Sequence, residues 1–145
     1  MTVYLDSSAV VKLYVPERGH DAVRSLDGVR LSSAVTRVEV ASALWRKERL
    51  GELDAADAVT LLAAFDVDLG RRLTTVVVDQ RVLDEATEVV ARHALRAYDA
   101  VQLATAIVAR RVLGRLDEFA AFDQSLRRAA ATEQFTLVPE TLHAR

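Results

Sequence analysis

Of the twenty-one acidic residues in this chain, four stand where one buried element hands over to the next: Asp6, Glu39, Asp99 and Asp123. Asp6 ends the apolar run VYLD and Asp123 ends FAAFD. Glu39 falls in the opening turn of a helix after VRLSS (29–33), and Asp99 in the opening turn of the helix YDAVQLATAIVARRVL. Asp99 also shares a helical face with Leu103 and Ile107, an odd place for a carboxylate unless a rigid apolar backing serves it. Helix capping is the plain alternative, because a carboxylate that opens a helix satisfies free N–H groups and complements the dipole, worth about 0.3–1 kcal/mol. Capping explains Glu39 or Asp99 alone; Asp6 and Asp123, straight after strand residues, are harder to reduce to it.

Brought together, the four need a counter-charge. Clustered carboxylates repel, and each would hold its proton to higher pH unless something positive sat among them. Mg²⁺ or Mn²⁺ supplies such charge and prefers oxygen ligands. A carboxylate-bound Mg²⁺ keeps several waters, orients one as a nucleophile and stabilises charge on phosphoryl or leaving oxygens. The chemistry implied is in-line hydrolysis of a phosphodiester without a covalent enzyme intermediate. His20, His93 and His143 read as surface or helix-face residues, and there is no cysteine, so zinc sites, disulfides and thiol catalysis are not expected.

Positioning these acids falls to short apolar strands alternating with amphipathic helices. Strands are expected at 2–5, 29–33, 74–78, 118–122 and 135–138. Helices are expected at 7–14, 19–25, 36–50, 54–69, 80–94, 98–113 and 124–131. Val38, Ala41, Leu44 and Trp45 recur at helical spacing, Asp54 is placed to cap the fourth helix, and Ser32 or Ser33 to cap the third. Asp79, Asp84, Glu85 and Glu88 read as one solvated helix face. Such alternation predicts parallel crossovers and an α/β fold, a three-layer α/β/α sandwich around a mostly parallel central sheet. In these sheets ligands gather beyond the carboxyl ends of the strands, where strand order reverses.

The 145 residues are expected to form a single domain (1–145), half apolar and just over a quarter charged. No basic, cleavable leader opens MTVYLDSS, and no uncharged apolar run approaches the ~18 residues a membrane span needs, so a soluble, cytoplasmic protein with no membrane partner is expected. A formal charge of −2 gives no overall pull toward nucleic acid. Seventeen of nineteen basic residues are arginine, some paired (Arg71-Arg72, Arg110-Arg111, Arg127-Arg128); for any one pair a general preference for arginine over lysine is favoured over phosphate binding as the explanation.

Four stretches, VYLDSSAVVKLYVPE, SSAVTRVEVASALWR, LRAYDAVQLATAI and FAAFDQSLRRAA, resemble in order and spacing the acidic motifs of PIN domains, above all those of VapC toxins from toxin–antitoxin pairs. The resemblance runs from Tyr4 to about Val138. It implies a PIN-like fold and an endoribonuclease dependent on Mg²⁺ or Mn²⁺. Asp6, Glu39, Asp99 and Asp123 match the family's catalytic and metal-binding acids one by one, with Asp6 and Asp99 the first to assign as ligands. It further implies an RNA substrate, a cognate antitoxin that inhibits the enzyme, and a homodimer. One departure stands out: Ala121 replaces the threonine or serine that many relatives carry two residues before the fourth acid. Ser7 or Ser8 could supply a hydroxyl instead.

Two other functions compete. A catalytically weak PIN-like protein-binding module has Ala121 in its favour and the retention of all four acids against it. A receiver-like phosphoacceptor would need an acid after the third strand, which Asp79 could provide, and a lysine after the fifth, which is missing. A basic segment of a partner could block the acidic site, and apolar residues exposed on helices 36–50 and 54–69 could seat a partner's amphipathic helix.

Overall fold

A computed structural model describes residues 1–142; His143 lies outside them. In chain order the elements are β1 (Thr2–Leu5), α1 (Ser7–Tyr14), α2 (His20–Arg24), β2 (Val29–Ser33), α3 (Thr36–Arg49) and α4 (Ala55–Asp68). They continue as β3 (Thr74–Val76), α5 (Gln80–Arg92), α6 (Ala97–Leu113), β4 (Glu118–Ala120), α7 (Gln124–Thr132) and β5 (Thr136–Val138). The five strands form one sheet in the order β3-β2-β1-β4-β5, and every pairing is parallel.

That order explains the layers. From β1 the chain steps through β2 to β3 on one side of the sheet; after β4 it steps to β5 on the other. Parallel crossovers are right-handed, so reversing the direction of travel moves the helices to the opposite face. The strand alternation matches this split. Val3, Leu5 and Ala120 pack with Val10 of α1, Val40 and Leu44 of α3 and Phe65 of α4. Tyr4 and Phe119, from the alternate positions, pack with Val89 of α5, Leu103 and Ile107 of α6 and Leu126 of α7. Paired across β1 and β4, the Tyr4 and Phe119 rings stack with centroids 5.2 Å apart.

Helices α5 and α6 form a hairpin that returns the chain toward β4. Glu85 of α5 pins it with ion pairs to Arg111 of α6 and Arg92. Glu85 is therefore buried, not part of a solvated face as its sequence neighbours suggested. The left-handed Gly114, a conformation glycine adopts without Cβ strain, ends α6 before β4.

Three further expectations change. Strand β3 stops at Val76 because its sole partner, β2, ends opposite it at Ser33. Strand β4 stops at Ala120, so Asp123 follows it by three residues. Val38 is 66 % exposed, the inward face of α3 being carried by Thr36, Val40 and Leu44. Among the described residues no helix is long and apolar enough to cross a membrane.

Candidate active site

Strand order reverses between β1 and β4, and both strands deliver an acid at their carboxyl ends. Asp6 follows β1 directly and is the N-cap of α1. Its Oδ1 accepts from the Ala9 N–H (2.9 Å) and the Ser8 hydroxyl (2.7 Å). Oδ2 has no protein donor among the described residues. Asp123 is the N-cap of α7, its Oδ2 accepting from the Leu126 N–H at 2.9 Å. Capping thus accounts for the backbone position of both, yet leaves each an oxygen to spare.

Glu39 and Asp99 occupy first turns without capping them; Val35 and Arg96 hold those cap positions with no side-chain bond. Capping, which explained these two adequately from the sequence, is not their role. Glu39 Oε1 accepts from Gln102 Nε2 at 2.7 Å. Asp99 stands 3.6 Å from the largely exposed Arg96 guanidinium through its Oδ2. Behind it Leu103 and Ile107 are buried, as the shared helical face predicts.

The sequence reading missed the polar chain beneath these acids. Gln102, fully buried, donates through Nε2 to Glu39 and to Thr36 Oγ1 (2.9 Å), and its Oε1 accepts from the Tyr4 hydroxyl (2.6 Å). Thr36 and Ser32 share a hydrogen bond of 2.7 Å, and Ser32 donates to the Leu5 carbonyl at the end of β1 (2.7 Å). Burial holds the Tyr4 hydroxyl protonated far up the pH scale, so it serves as the donor and the amide is turned with its NH₂ toward Glu39. The chain links β1, β2, α3 and α6, with no buried side-chain polar atom left unpartnered among the described residues. A glutamine inside AVQLATAIV was its one visible signal.

Electrostatics tie the four acids together. Burial above all, with the charges of Asp99 and Glu39, pushes the Asp6 carboxyl up to about 7 against the Ser8 and Ala9 hydrogen bonds. Glu39 is raised by burial, opposed by Gln102 and Ser7, and raised again by Asp99. Asp99 is raised by burial and by Asp123, with Arg96 opposing. Asp99 is therefore the hub, in electrostatic contact with the other three. The acids do not close into a shell: among the described residues no three acidic or histidine side chains are drawn together tightly enough to hold a metal ion. The donor set still fits a hard divalent cation. It is all oxygen, it includes the undonated Asp6 Oδ2, and its shifts mark negative charge lacking a counter-charge.

A hydroxyl also stands at the β1/β4 crevice despite Ala121. Ser8 Oγ donates to Asp6 and accepts from the Phe122 N–H at 3.3 Å, joining the loop after β4 to the first acid. Ser33, by contrast, accepts from the Val35 N–H at 3.3 Å in a local turn rather than capping α3.

Comparison with known proteins bears on the family and the fold. A family model described as the PIN domain matches residues 3–131. Ribonuclease VapC46 of Mycobacterium tuberculosis is 40% identical over 133 residues, covering 90% of this chain and 91% of that protein. Among solved structures, VapC20 of Mycobacterium tuberculosis, described as a sarcin-ricin loop cleaving toxin, superposes with a TM-score of 0.65 at 21% identity, covering 88% of this chain and 94% of that one. A toxin–antitoxin complex from Klebsiella pneumoniae contains a chain matching with a TM-score of 0.63 at 15% identity, over 85% of this chain and 88% of its own. These two likenesses are of fold.

Proposed function

The chain belongs to the PIN-domain family and to its VapC-type ribonucleases, and from that premise we propose that it is a divalent-metal-dependent endoribonuclease acting as a toxin under the control of an antitoxin. What supports the reading is the mutual electrostatic influence of four acids carried by four separate elements, near the carboxyl ends of the strands between which the order reverses. Asp6, Glu39, Asp99 and Asp123 are the residues that would hold Mg²⁺ or Mn²⁺, as parts of one PIN-like domain. Held by these residues, such a cation would supply Lewis-acid polarisation of a phosphoryl oxygen and a water made more acidic.

The chain's own residues do the rest. Gln102 fixes the orientation of Glu39 by donating to it from a buried position. Ser8 and the Ala9 N–H hold one oxygen of Asp6 and leave the other for the cation. The apolar backing of Asp99 keeps bulk water from its inner side, which strengthens its attraction for positive charge. Against a weak binding module, the Ser8 hydroxyl supplies at this crevice what Ala121 lacks.

The test is cleavage of an RNA panel with Mn²⁺, with and without EDTA. Wild type is expected to cut and Asp99→Asn to be folded and inactive; full cleavage by a folded Asp99→Asn protein would refute the assignment. For the antitoxin, Val38 and Leu50 of the α3 segment and Val59 and Val67 of α4 are exposed apolar residues suited to an amphipathic helix. A small protein co-purifying with the chain should abolish cleavage. Inhibition that survives removal of all its basic residues would argue against blocking of the acids. A homodimer and a cytoplasmic setting complete the proposal, on family resemblance alone.

A further inference from the structure

A cleft of about 430 Å³ opens directly beside the acids, with Glu39 as part of its wall. It runs between two helical stripes: Ser7 and Val11 on α1, and Val38, Ser42 and Arg46 on α3. Each stripe is spaced by four residues, as one helix face requires. Tyr98 of α6, next in sequence to Asp99, closes the remaining side.

Its chemistry is unlike that of the acid cluster. Val11 and Ala43 make an apolar floor, while Val38 (66 % exposed) and Tyr98 (59 % exposed) stand at the rim. The core does not call for either rim residue. Ser42 puts a hydroxyl against this apolar surface, and Ser7, hydrogen-bonded to Glu39, puts another at the acid end. At the far end Arg46 has no ion-pair partner among the described residues, although α3 carries Glu39 and Glu48 nearby. Glu39 and Arg46 are seven residues apart, roughly 10 Å along the helix axis. The order along the cleft is thus acid, flat apolar slot with hydroxyls, then unpaired guanidinium.

We propose that this cleft is a nucleobase subsite: it holds one base flanking the scissile phosphate on Tyr98, with the next phosphate at Arg46. The inference rests on the ribonuclease reading and deepens it by naming a determinant of cleavage-site choice. A base offers flat faces and a polar edge, which match a cleft lined by the Tyr98 phenol, Val11 and Val38 with serine hydroxyls at its margin. Arginine's planar fork suits a phosphate diester. A slot of this size takes one unstacked base and not a duplex, so the substrate is single-stranded or looped at the cut. Tyr98 is a binding residue here and takes no part in the hydrolytic step.

The test uses the full chain with Mn²⁺ and a short labelled oligoribonucleotide library randomised around the cut, together with oligonucleotides carrying an abasic residue at each flanking position. Tyr98→Ala should raise KM for the preferred RNA about ten-fold with little change in kcat, and flatten base preference at one flanking position. Tyr98→Phe should keep both, and Arg46→Ala should raise KM without altering preference. An abasic residue at that position should weaken wild type about ten-fold and leave Tyr98→Ala no worse. Wild-type KM and site preference in Tyr98→Ala would overturn the subsite. So would loss of antitoxin inhibition in that variant with unchanged RNA kinetics, which assigns the cleft to a protein partner. Binding of the same oligonucleotides to the Asp99→Asn protein separates the two readings. Base-dependent, Tyr98-dependent affinity without any wild-type cleavage sinks the hydrolase and keeps the subsite; cleavage without base dependence does the reverse.

Discussion

A carboxyl group lifted to about 7 by burial, like that of Asp6, works against the folded state whenever it is ionised. In the unfolded chain Asp6 titrates near its ordinary 3.8, so between about pH 4 and 7 the unfolded state has already released a proton that the folded state keeps. The unfolded state binds fewer protons in that window, and the metal-free protein loses stability as pH rises through it. At about 1.4 kcal/mol per pKa unit the full effect above pH 7 is at most about 4 kcal/mol. Asp6→Asn keeps an oxygen for Ser8 and Ala9 and removes the charge. In EDTA at pH 8 it should be more stable than wild type by a few kcal/mol, and at pH 4 the difference should vanish. Urea titrations at the two pH values check this, and an equal difference at both would show that charge is not the cause. Legibility varied at this scale. The four acids stand out because each follows or opens an element. The Gln102–Thr36–Ser32 chain hides because a lone glutamine, threonine or serine in an apolar segment looks alike whether it faces a carboxylate or another residue's backbone.

Among the elements, α7 shows how one side chain does two jobs. Asp123 caps the helix through Oδ2, and its charge reaches Asp99. Asp54 does only the first, its Oδ1 accepting from the Asp57 N–H at 2.7 Å at the start of α4. Asp54→Ala and Asp123→Ala should each cost about 1 kcal/mol in thermal or urea unfolding, the ordinary worth of a cap. Only Asp123→Ala should lower RNA cleavage. Asp123→Asn keeps an acceptor for Leu126 and loses the charge, so it should unfold like wild type and cleave like Asp123→Ala. Recovery of full activity in Asp123→Asn would reduce this residue to a cap. Element boundaries were readable wherever a side-chain cap marked them, as at Asp6 and Asp54. They were misjudged where a neighbouring strand decided them. Nothing in TTVVV says that β2 ends opposite Val76, and nothing in FAAFD says that the chain leaves the sheet after Ala120. Glu85 was misread for a similar reason: its partner Arg111 lies on another helix of the hairpin.

For the molecule as a whole, the fold sets like charges within electrostatic reach of one another, and the proposed cation would balance them. Asp6 and Asp123 follow the two strands between which the order reverses, and Asp99 at the start of α6 is the acid whose charge is coupled both to Asp6 and to Asp123. A divalent cation that binds this arrangement and not the unfolded chain stabilises it by RT ln(1 + [M]/Kd), about 2.7 kcal/mol at a hundred times Kd. For a chain of this size each kcal/mol moves Tm by roughly 2–4 °C, so saturating Mn²⁺ should raise Tm by roughly 5–10 °C at pH 8. At pH 5 the shift should shrink, because Asp6 must first give up the proton that it holds up to about pH 7. Asp99→Asn, which removes the hub, should lose most of the shift at either pH. Calorimetry of both proteins with EDTA and with Mn²⁺ reads all of these outcomes and needs no RNA. An equal Mn²⁺ shift in wild type and Asp99→Asn would place the metal elsewhere on the protein, and no shift in either would leave the four acids without the cation on which the proposed hydrolytic mechanism depends.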